Sequence, residues 1–254
     1  MKHQIRKILA FGLWLGIIAT VLVLLVAAIK VRKHKTCTGY AIEIKGSEEK
    51  WFINKKNIAG LLRIDGVIKG RSLHRFNLNE MEASVKKNPW IKDAELFFDN
   101  NQVLRVRIEE REPVARVFTR SGKSFYIDSS RRQLPLSGKY TARVPVVTGF
   151  PADNSRLKGV DSALMAQVEQ ICAFLMNNPF WMAQVAQVDI TDERTFEIIP
   201  VVGNHIIELG DGTGLKEKFD RLLLFYRKVL SKTGMELYDR IKVQYDGQVV
   251  GVKK

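Results

Sequence analysis

Acidic residues are absent from the first 35 positions of this 254-residue chain, although seven Lys or Arg stand there: Lys2, Arg6, Lys7, Lys30, Arg32, Lys33 and Lys35. Half of the net charge of +14 therefore flanks one apolar segment, leaving +7 over the other 219 residues. Such a distribution suits contact with anionic head groups beside a membrane better than a basic stripe along nucleic acid. Further on, bases and acids interleave, as in Arg105-Val106-Arg107-Ile108-Glu109-Glu110, and Arg131-Arg132 is a pair and not a patch. Nucleic acid is not expected as a partner.

Cysteine is scarce. Cys37 and Cys172 are the whole complement, too few and too far apart for a disulfide framework. Cys172 falls on the apolar side of a helical pattern and is expected in a core, whereas Cys37 reads as an incidental free thiol just outside the membrane. No two of the four histidines (His3, His34, His74 and His205) stand three or four residues apart, as a paired-histidine metal site on a helix would require. There is no Gly-x-Ser-x-Gly elbow, and the glycine run Gly210–Gly214 lacks both the Gly-Lys-Ser/Thr of a phosphate loop and the spacing of Gly-x-Gly-x-x-Gly. Asp189, Asp192 and Glu193 read as a solvated turn. Gly210-Asp211-Gly212-Thr213-Gly214 lies between a strand and a helix. Its neighbours look like an antiparallel meander, so it reads as a tight turn with Thr213 near the helix cap and not as a phosphate cradle. No catalytic, cofactor-binding or metal-binding constellation emerges, and neither a cofactor nor a small-molecule substrate is expected.

What the chain does have is one long uncharged run, Ile8 to Ile29. As a helix it is about 33 Å long, enough to cross a hydrocarbon layer of roughly 30 Å. Val26-Ala27-Ala28 would pass as a cleavage site, but the apolar regions of signal peptides run only about 7–15 residues, so a retained anchor is expected. Basic residues on its two sides nearly balance, leaving charge silent on orientation. A tail of only seven residues suits an inward N-terminus.

Beyond Lys35 the periodicity alternates between strand and helix. Ala41–Ile44 alternates as a strand. Asn54 can cap a helix over Lys55–Leu62, with Asp65-Gly66 at its exit, and Asn77 one over Leu78–Lys87, with Pro89 just beyond. Strands follow over Ile91–Phe98 and Val103–Ile108, joined by Asp99-Asn100-Asn101. In the second, Leu104, Val106 and Ile108 share one face and Arg105, Arg107 and Glu109 the other. The order β-α-α-β-β predicts a small sheet covered on one side by two helices. Trp90, opening a strand after Pro89, is expected to be a buried structural anchor.

Downstream, a helix over Val160–Met176 aligns Val160, Leu164, Val168, Ile171, Cys172 and Leu175. Another over Leu215–Leu230 aligns Leu215, Phe219, Leu222, Leu223, Tyr226, Val229 and Leu230. Three strands lie between them, near Val185–Ile190, Phe196–Val202 and His205–Leu209. The chain ends in an expected hairpin, Ile241–Tyr245 and Gln248–Val252, around Asp246-Gly247. The fold class is α+β: a membrane helix, a β-α-α-β-β domain, then a β-rich domain with two packed helices.

Several motifs carry a resemblance. Asn88-Pro89-Trp90-Ile91-Lys92-Asp93-Ala94, Leu104-Arg105-Val106-Arg107-Ile108 and Glu110-Arg111-Glu112-Pro113-Val114-Ala115 resemble the bacterial cell-division family FtsQ (DivIB), whose matching part is a POTRA domain. Phe125-Tyr126-Ile127-Asp128 is similar to the family's hairpin ending in Asp, with Ser-Arg standing where Gly is often seen. Val144-Pro145-Val146-Val147-Thr148-Gly149 is similar to its Val-Pro-x-x-x-Gly strand. The resemblance implies a cytoplasmic tail (1–7), a transmembrane helix (8–29), a juxtamembrane linker (30–37), a POTRA domain (38–112) and an FtsQ-type β domain (113–254). Both domains would stand outside the cytoplasmic membrane, in the periplasm or its equivalent.

It further implies a non-catalytic divisome scaffold that binds FtsB/FtsL-like single-pass proteins and helps coordinate septal peptidoglycan synthesis. Matching the terminal hairpin carries partner binding onto Gln244, Tyr245, Val250, Gly251 and Val252. A last strand at a sheet edge offers unpaired backbone groups to such a partner. Family members often carry an aromatic near the place of Val252, and Lys253 and Lys254 would blunt a plain edge. The alternatives are a membrane-anchored cell-wall enzyme and a POTRA-containing translocation protein. The second is disfavoured because no barrel-forming strands follow.

Overall fold

The computed structural model describes residues 12–25, 35–45, 52–64, 66, 68–138, 140–154 and 156–254. Residues 12–25 form one helix whose apolar side chains, among them Leu13, Ile18, Leu22 and Leu25, are exposed. The predicted span Ile8–Ile29 extends past both ends of this segment, and the predicted tail and most of the linker lie outside the described residues. Among the described residues no helix is long and apolar enough to cross a membrane. The rest forms two compact units, one ending at Glu110 and one built on Arg111–Lys254.

The first unit runs β1 (Gly39–Lys45), α1 (Lys55–Leu62), a 3-10 turn (Leu73–Arg75), α2 (Leu78–Lys86), β2 (Ile91–Phe98) and β3 (Val103–Glu110). Its three-stranded sheet has the order β1-β3-β2, with β1 parallel and β2 antiparallel to β3. Both helices start where an Asn accepts from an otherwise orphaned amide: Asn54 Oδ1 from Asn57 N (2.7 Å) and Asn77 Oδ1 from Glu80 N (3.3 Å). α1 ends at Leu62 as expected, capped by Arg63 in left-handed conformation (φ 54°), while Asp65 of the expected exit lies outside the described residues. In the β2–β3 turn the Asp99 carboxylate accepts from the amides of Asn101 and Val103. The amide of Val103, followed by Arg105 and Asn101, holds that carboxyl below its ordinary range against the cost of desolvation.

The alternation of β3 is realised in full: Leu104, Val106 and Ile108 are buried, and Glu110 continues their face. Trp90 is 6% exposed, as an anchor should be. Cys37 is not an incidental surface thiol. It is buried, its Sγ 3.2 Å from the Gly39 carbonyl, while its backbone pairs with Arg71 and Gly70.

The second unit carries β4 (Pro113–Thr119), β5 (Ser124–Asp128), β6 (Gln133–Leu134), β7 (Val146–Phe150), α3 (Gly159–Met176), α4 (Pro179–Gln184), β8 (Val185–Ile190), β9 (Phe196–Pro200), β10 (Ile206–Gly210), α5 (Leu215–Phe225), β11 (Tyr238–Lys242) and β12 (Val250–Lys253). One nine-stranded sheet takes the order β12-β11-β10-β9-β8-β7-β4-β5-β6. Buried residues from the helices and from one sheet face form a single core. Alternation places Val117, Val147, Val188, Ile198, Ile207 and Ile241 on that face, each paired across the register with the next.

Four expectations for this unit need correction. Val160 does not join the buried stripe of α3; it is 64% exposed in the first helical turn, and Met165 packs instead. The predicted second helix changes character at Tyr226–Leu230, a π-helical turn, before a last helical turn at Ser231–Thr233. The short helix α4 was not anticipated; Pro179 opens it, and Trp181 meets Phe219 edge-on at 4.9 Å. Finally, the meander stops at Gly210. β8, β9 and β10 are antiparallel neighbours, but β11 lies parallel to β10, so β10–α5–β11 is a crossover unit.

Two motifs from distant parts of the chain meet here. Arg111 Nη1 lies 2.6 Å from Asp128 Oδ2, in an ion pair almost closed to solvent. Asp128 also accepts from Ser130 Oγ and from the amides of Ser130 and Arg132. Burial opposes ionisation of this carboxyl, yet the hydrogen bonds from Ser130, Arg132 and Arg111 hold it below its ordinary range. The left-handed residue of the turn is Arg131 (φ 64°).

Candidate functional site

The last strand, β12, stands at one end of the nine-stranded sheet and, among the described residues, pairs with β11 alone. Its pairs are Lys242↔Val250, Ile241↔Gly251 and Arg240↔Val252, with an irregularity before Tyr238↔Lys253. Val250 and Val252 thus stand on the face away from the helices, each 38% exposed. Gly251 points toward the core side, where the Tyr238 ring takes the room of its side chain. A Cβ there would lie 2.5 Å from Tyr238 Cε1 and 3.4 Å from Phe225 Cζ. The Tyr238 and Phe225 rings meet edge-on at 5.4 Å.

Of the five expected contact residues, Val250, Gly251 and Val252 are on the edge strand. Gln244 and Tyr245 are not its direct partners, because β11 ends at Lys242 and both lie in the connecting loop. The physical reason is that this backbone is held from the side away from β12. The Val243 amide donates to the Glu208 carbonyl of β10 (3.0 Å), and Arg221 Nη2 of α5 donates to the carbonyls of Val243 (3.0 Å) and Tyr245 (3.2 Å). The loop is therefore fastened to α5 and β10, with the Tyr245 side chain 45% exposed and Gln244 packed beside Gly210.

Behind the edge, charges are already committed. Arg240 Nη1 binds Glu197 (2.7 Å) and Glu208 (2.8 Å), and Lys242 binds the second oxygen of Glu208 (3.1 Å). Desolvation works against the ionised Glu208, but these two bases keep it below the ordinary carboxylate range. Lys254, the last residue, pairs with Glu236 at 3.3 Å. Sequence reasoning missed Arg221, Tyr238 and Arg240; the available signal was Gly251, since a glycine inside a strand marks a close approach.

The other candidates resolve into structure. Asp189 accepts from Thr148 Oγ1, and Asp192 pairs with Arg120 at 2.8 Å. In the Gly210–Gly214 loop the Asp211 carboxylate is bound by Lys218 Nζ (2.7 Å) and by Thr213. Lys218 first, then Thr213, hold that carboxyl at about 2. The Gly212 amide donates to Gln167, and Gly214 stands at the cap with Thr213 directly before it, as a tight turn requires. Among the described residues no three His, Cys, Asp or Glu are grouped so as to hold a metal ion. Burial within the core pushes the Cys172 thiol far up.

Comparison with known proteins fits this architecture. Residues 35–109 match a family model described as a POTRA-like domain, and residues 112–252 match one described as FtsQ/DivIB, C-terminal related. "Cell division protein FtsQ" of Geobacter sp. (strain M21) is 24% identical over 199 residues, covering 76% of this chain and 70% of that one. The protein of the same name from Salinibacter ruber is 26% identical over 172 residues, covering 65% and 66%. That of Geotalea daltonii is 23% identical over 197 residues, covering 76% and 70%. With more than half its length matching the family model, the chain belongs to the FtsQ/DivIB family, in which these relatives are named as cell division proteins.

Proposed function

We propose that this cell-division protein is a membrane-anchored scaffold, not an enzyme, and that it holds other division proteins by accepting a partner's strand on β12. The observation that carries the reading is the sheet order: among the described residues β12 has β11 on one side and no strand on the other. Such an edge gives affinity through main-chain hydrogen bonds and selectivity through alternate side chains. Val250 and Val252 supply the apolar contacts on the open face, Gly251 keeps the strand close to Tyr238, and Tyr245 offers an exposed ring beside it. The partners are FtsB/FtsL-like single-pass proteins.

In this reading the chain has a short cytoplasmic tail, one transmembrane helix over Ile8–Ile29, a POTRA domain (38–112) and an FtsQ-type domain (113–254) on the outer side of the cytoplasmic membrane. The uncharged run and its basic flanks support the anchor. The scaffold helps coordinate septal peptidoglycan synthesis without carrying out a reaction itself.

The test is removal of Gln248–Lys254 and, separately, Tyr245→Ala, followed by measurement of affinity for the FtsB-like partner. Both variants are expected to weaken binding with circular dichroism unchanged. Unchanged affinity in both moves the site elsewhere.

A further inference from the structure

The crossover that places β11, and through it β12, is closed by a buried contact that none of the preceding functions uses. His205 immediately precedes β10 and is 1% exposed; its Nε2 lies 2.9 Å from the hydroxyl of Tyr226, at the far end of α5. The two rings meet edge-on at 5.7 Å, and Tyr226 in turn meets Trp181 of α4 at 6.1 Å. On the other side of the imidazole, Nδ1 is buried and finds no hydrogen-bond partner among the described residues. Gly203 closes that side: a Cβ on it would lie 2.8 Å from Nδ1. One bond therefore ties the beginning of β10 to the end of the helix that leaves it, with no acceptor for a second ring N–H.

The neutral ring suits this site with its proton on Nε2, donating to the Tyr226 oxygen and leaving Nδ1 as a dry lone pair and not as an unpaired donor. The imidazolium does not, because it brings a charge and a second donor, at Nδ1, to a buried position that has no hydrogen-bond partner among the described residues. Burial lowers the affinity of the ring for its second proton. Among the charged groups of the surrounding elements, Glu236 ahead of β11 acts in the opposite direction, but it is shared with Asn204 and Lys254. On α5 and its continuation Arg227 and Lys228 are exposed, and on β11 Arg240 is committed to Glu197 and Glu208.

We propose that His205 and Tyr226 form an acid-sensitive latch: protonation of His205 opens the β10–α5–β11 crossover and loosens the terminal edge strand it supports. The sign follows from linkage. A histidine whose folded-state affinity for the proton is lowered contributes stability at neutral pH, and loses it as pH falls below the unfolded value of about 6.5. The latch stands whether or not β12 receives a partner.

Amide hydrogen exchange on the full-length chain tests it, with rates corrected for the intrinsic effect of pH and with the β4–β5 hairpin as internal reference. Between pH 7.5 and 5.5, protection of Ile206–Gly210, Tyr238–Lys242 and Val250–Lys253 is expected to fall by as much as about tenfold relative to β4–β5. His205→Gln keeps a donor near the tyrosine but cannot titrate, and is expected to abolish that difference. An equal loss in His205→Gln, or no loss in the unaltered protein, overturns the latch. Should the variant fail to fold, nuclear magnetic resonance titration of the His205 imidazole in the unaltered protein decides: titration at or above about 6.5 overturns the proposal, and titration below it, together with the loss of protection, supports it.

Discussion

Gly149 and Gly247 both hold left-handed backbone, at φ 77° and 72°, but their surroundings differ. Gly247 turns in open space. Gly149 sits in β7 against its parallel neighbour β8, where a Cβ would collide with the Ile190 carbonyl oxygen and lie 3.3 Å from the Ile190 carbonyl carbon and nitrogen. Alanine at Gly247 therefore meets only the conformational penalty, about 1–2 kcal/mol. Alanine at Gly149 meets that penalty and must also push two paired strands apart, against backbone atoms that have no rotamer to yield. Overpacking of this kind adds roughly 1–3 kcal/mol, for a total of about 2–5 kcal/mol. With a urea slope of about 2 kcal/mol per molar, the midpoint of the second unit is expected to fall by about 0.5–1 M for Gly247→Ala and about 1–2.5 M for Gly149→Ala. Urea unfolding of the two variants measures both. Equal shifts would refute the reasoning, since the φ values are nearly equal and only the close approach separates the sites.

Trp90→Ala is expected to cost about 3–5 kcal/mol of the first unit's stability through the cavity it leaves, read as a large fall in that unit's melting temperature; a change of only a few degrees would mean that Trp90 is exposed. Asp128→Asn is expected to cost about 3 kcal/mol, because it strands Arg111 in a nearly closed site. The depressed Asp128 carboxyl contributes stability above its unfolded value of about 3.9 and loses it as pH falls through its lower folded value. The variant should therefore flatten the acid limb of a stability–pH curve below about pH 4. A reporter active only outside the cytoplasm, fused after Lys254, is expected to be active, and activity of a cytoplasm-only reporter at that position would reverse the proposed orientation.

Much of the architecture was legible before any coordinates. In β3 the two-residue period assigned Leu104, Val106 and Ile108 to a buried face because a strand has only two faces to offer. Asn54 and Asn77 marked their helices because the first amides of a helix need an acceptor, and a neighbouring side chain can supply one. The motif residues Asp128 and Gly149 were recognisable as signs of kinship, but the reason each is required emerged only with its partner: Arg111 for one and the Ile190 carbonyl for the other. Within the candidate site, Val250, Gly251 and Val252 were placed on the terminal strand, where they lie, whereas Gln244 and Tyr245 were assigned to a strand they do not join.

The sequence by itself determined what depends on near neighbours: the uncharged run, the caps, the alternation of the strands, the apolar sides of the two long helices and the absence of a recognisable catalytic motif. Tertiary structure decided what depends on which strand lies beside which. Parallel pairing of β10 with β11 cannot be read from either strand, because the same alternation serves both directions. Nor could the end of β11 be read locally, since Glu208 and Arg221 hold the amide and the carbonyl of Val243, just past it, from 35 and 22 residues away. The burial of His205 is of the same kind: it stands where a loop enters β10, and its partner Tyr226 reaches it only because a crossover helix returns along the sheet.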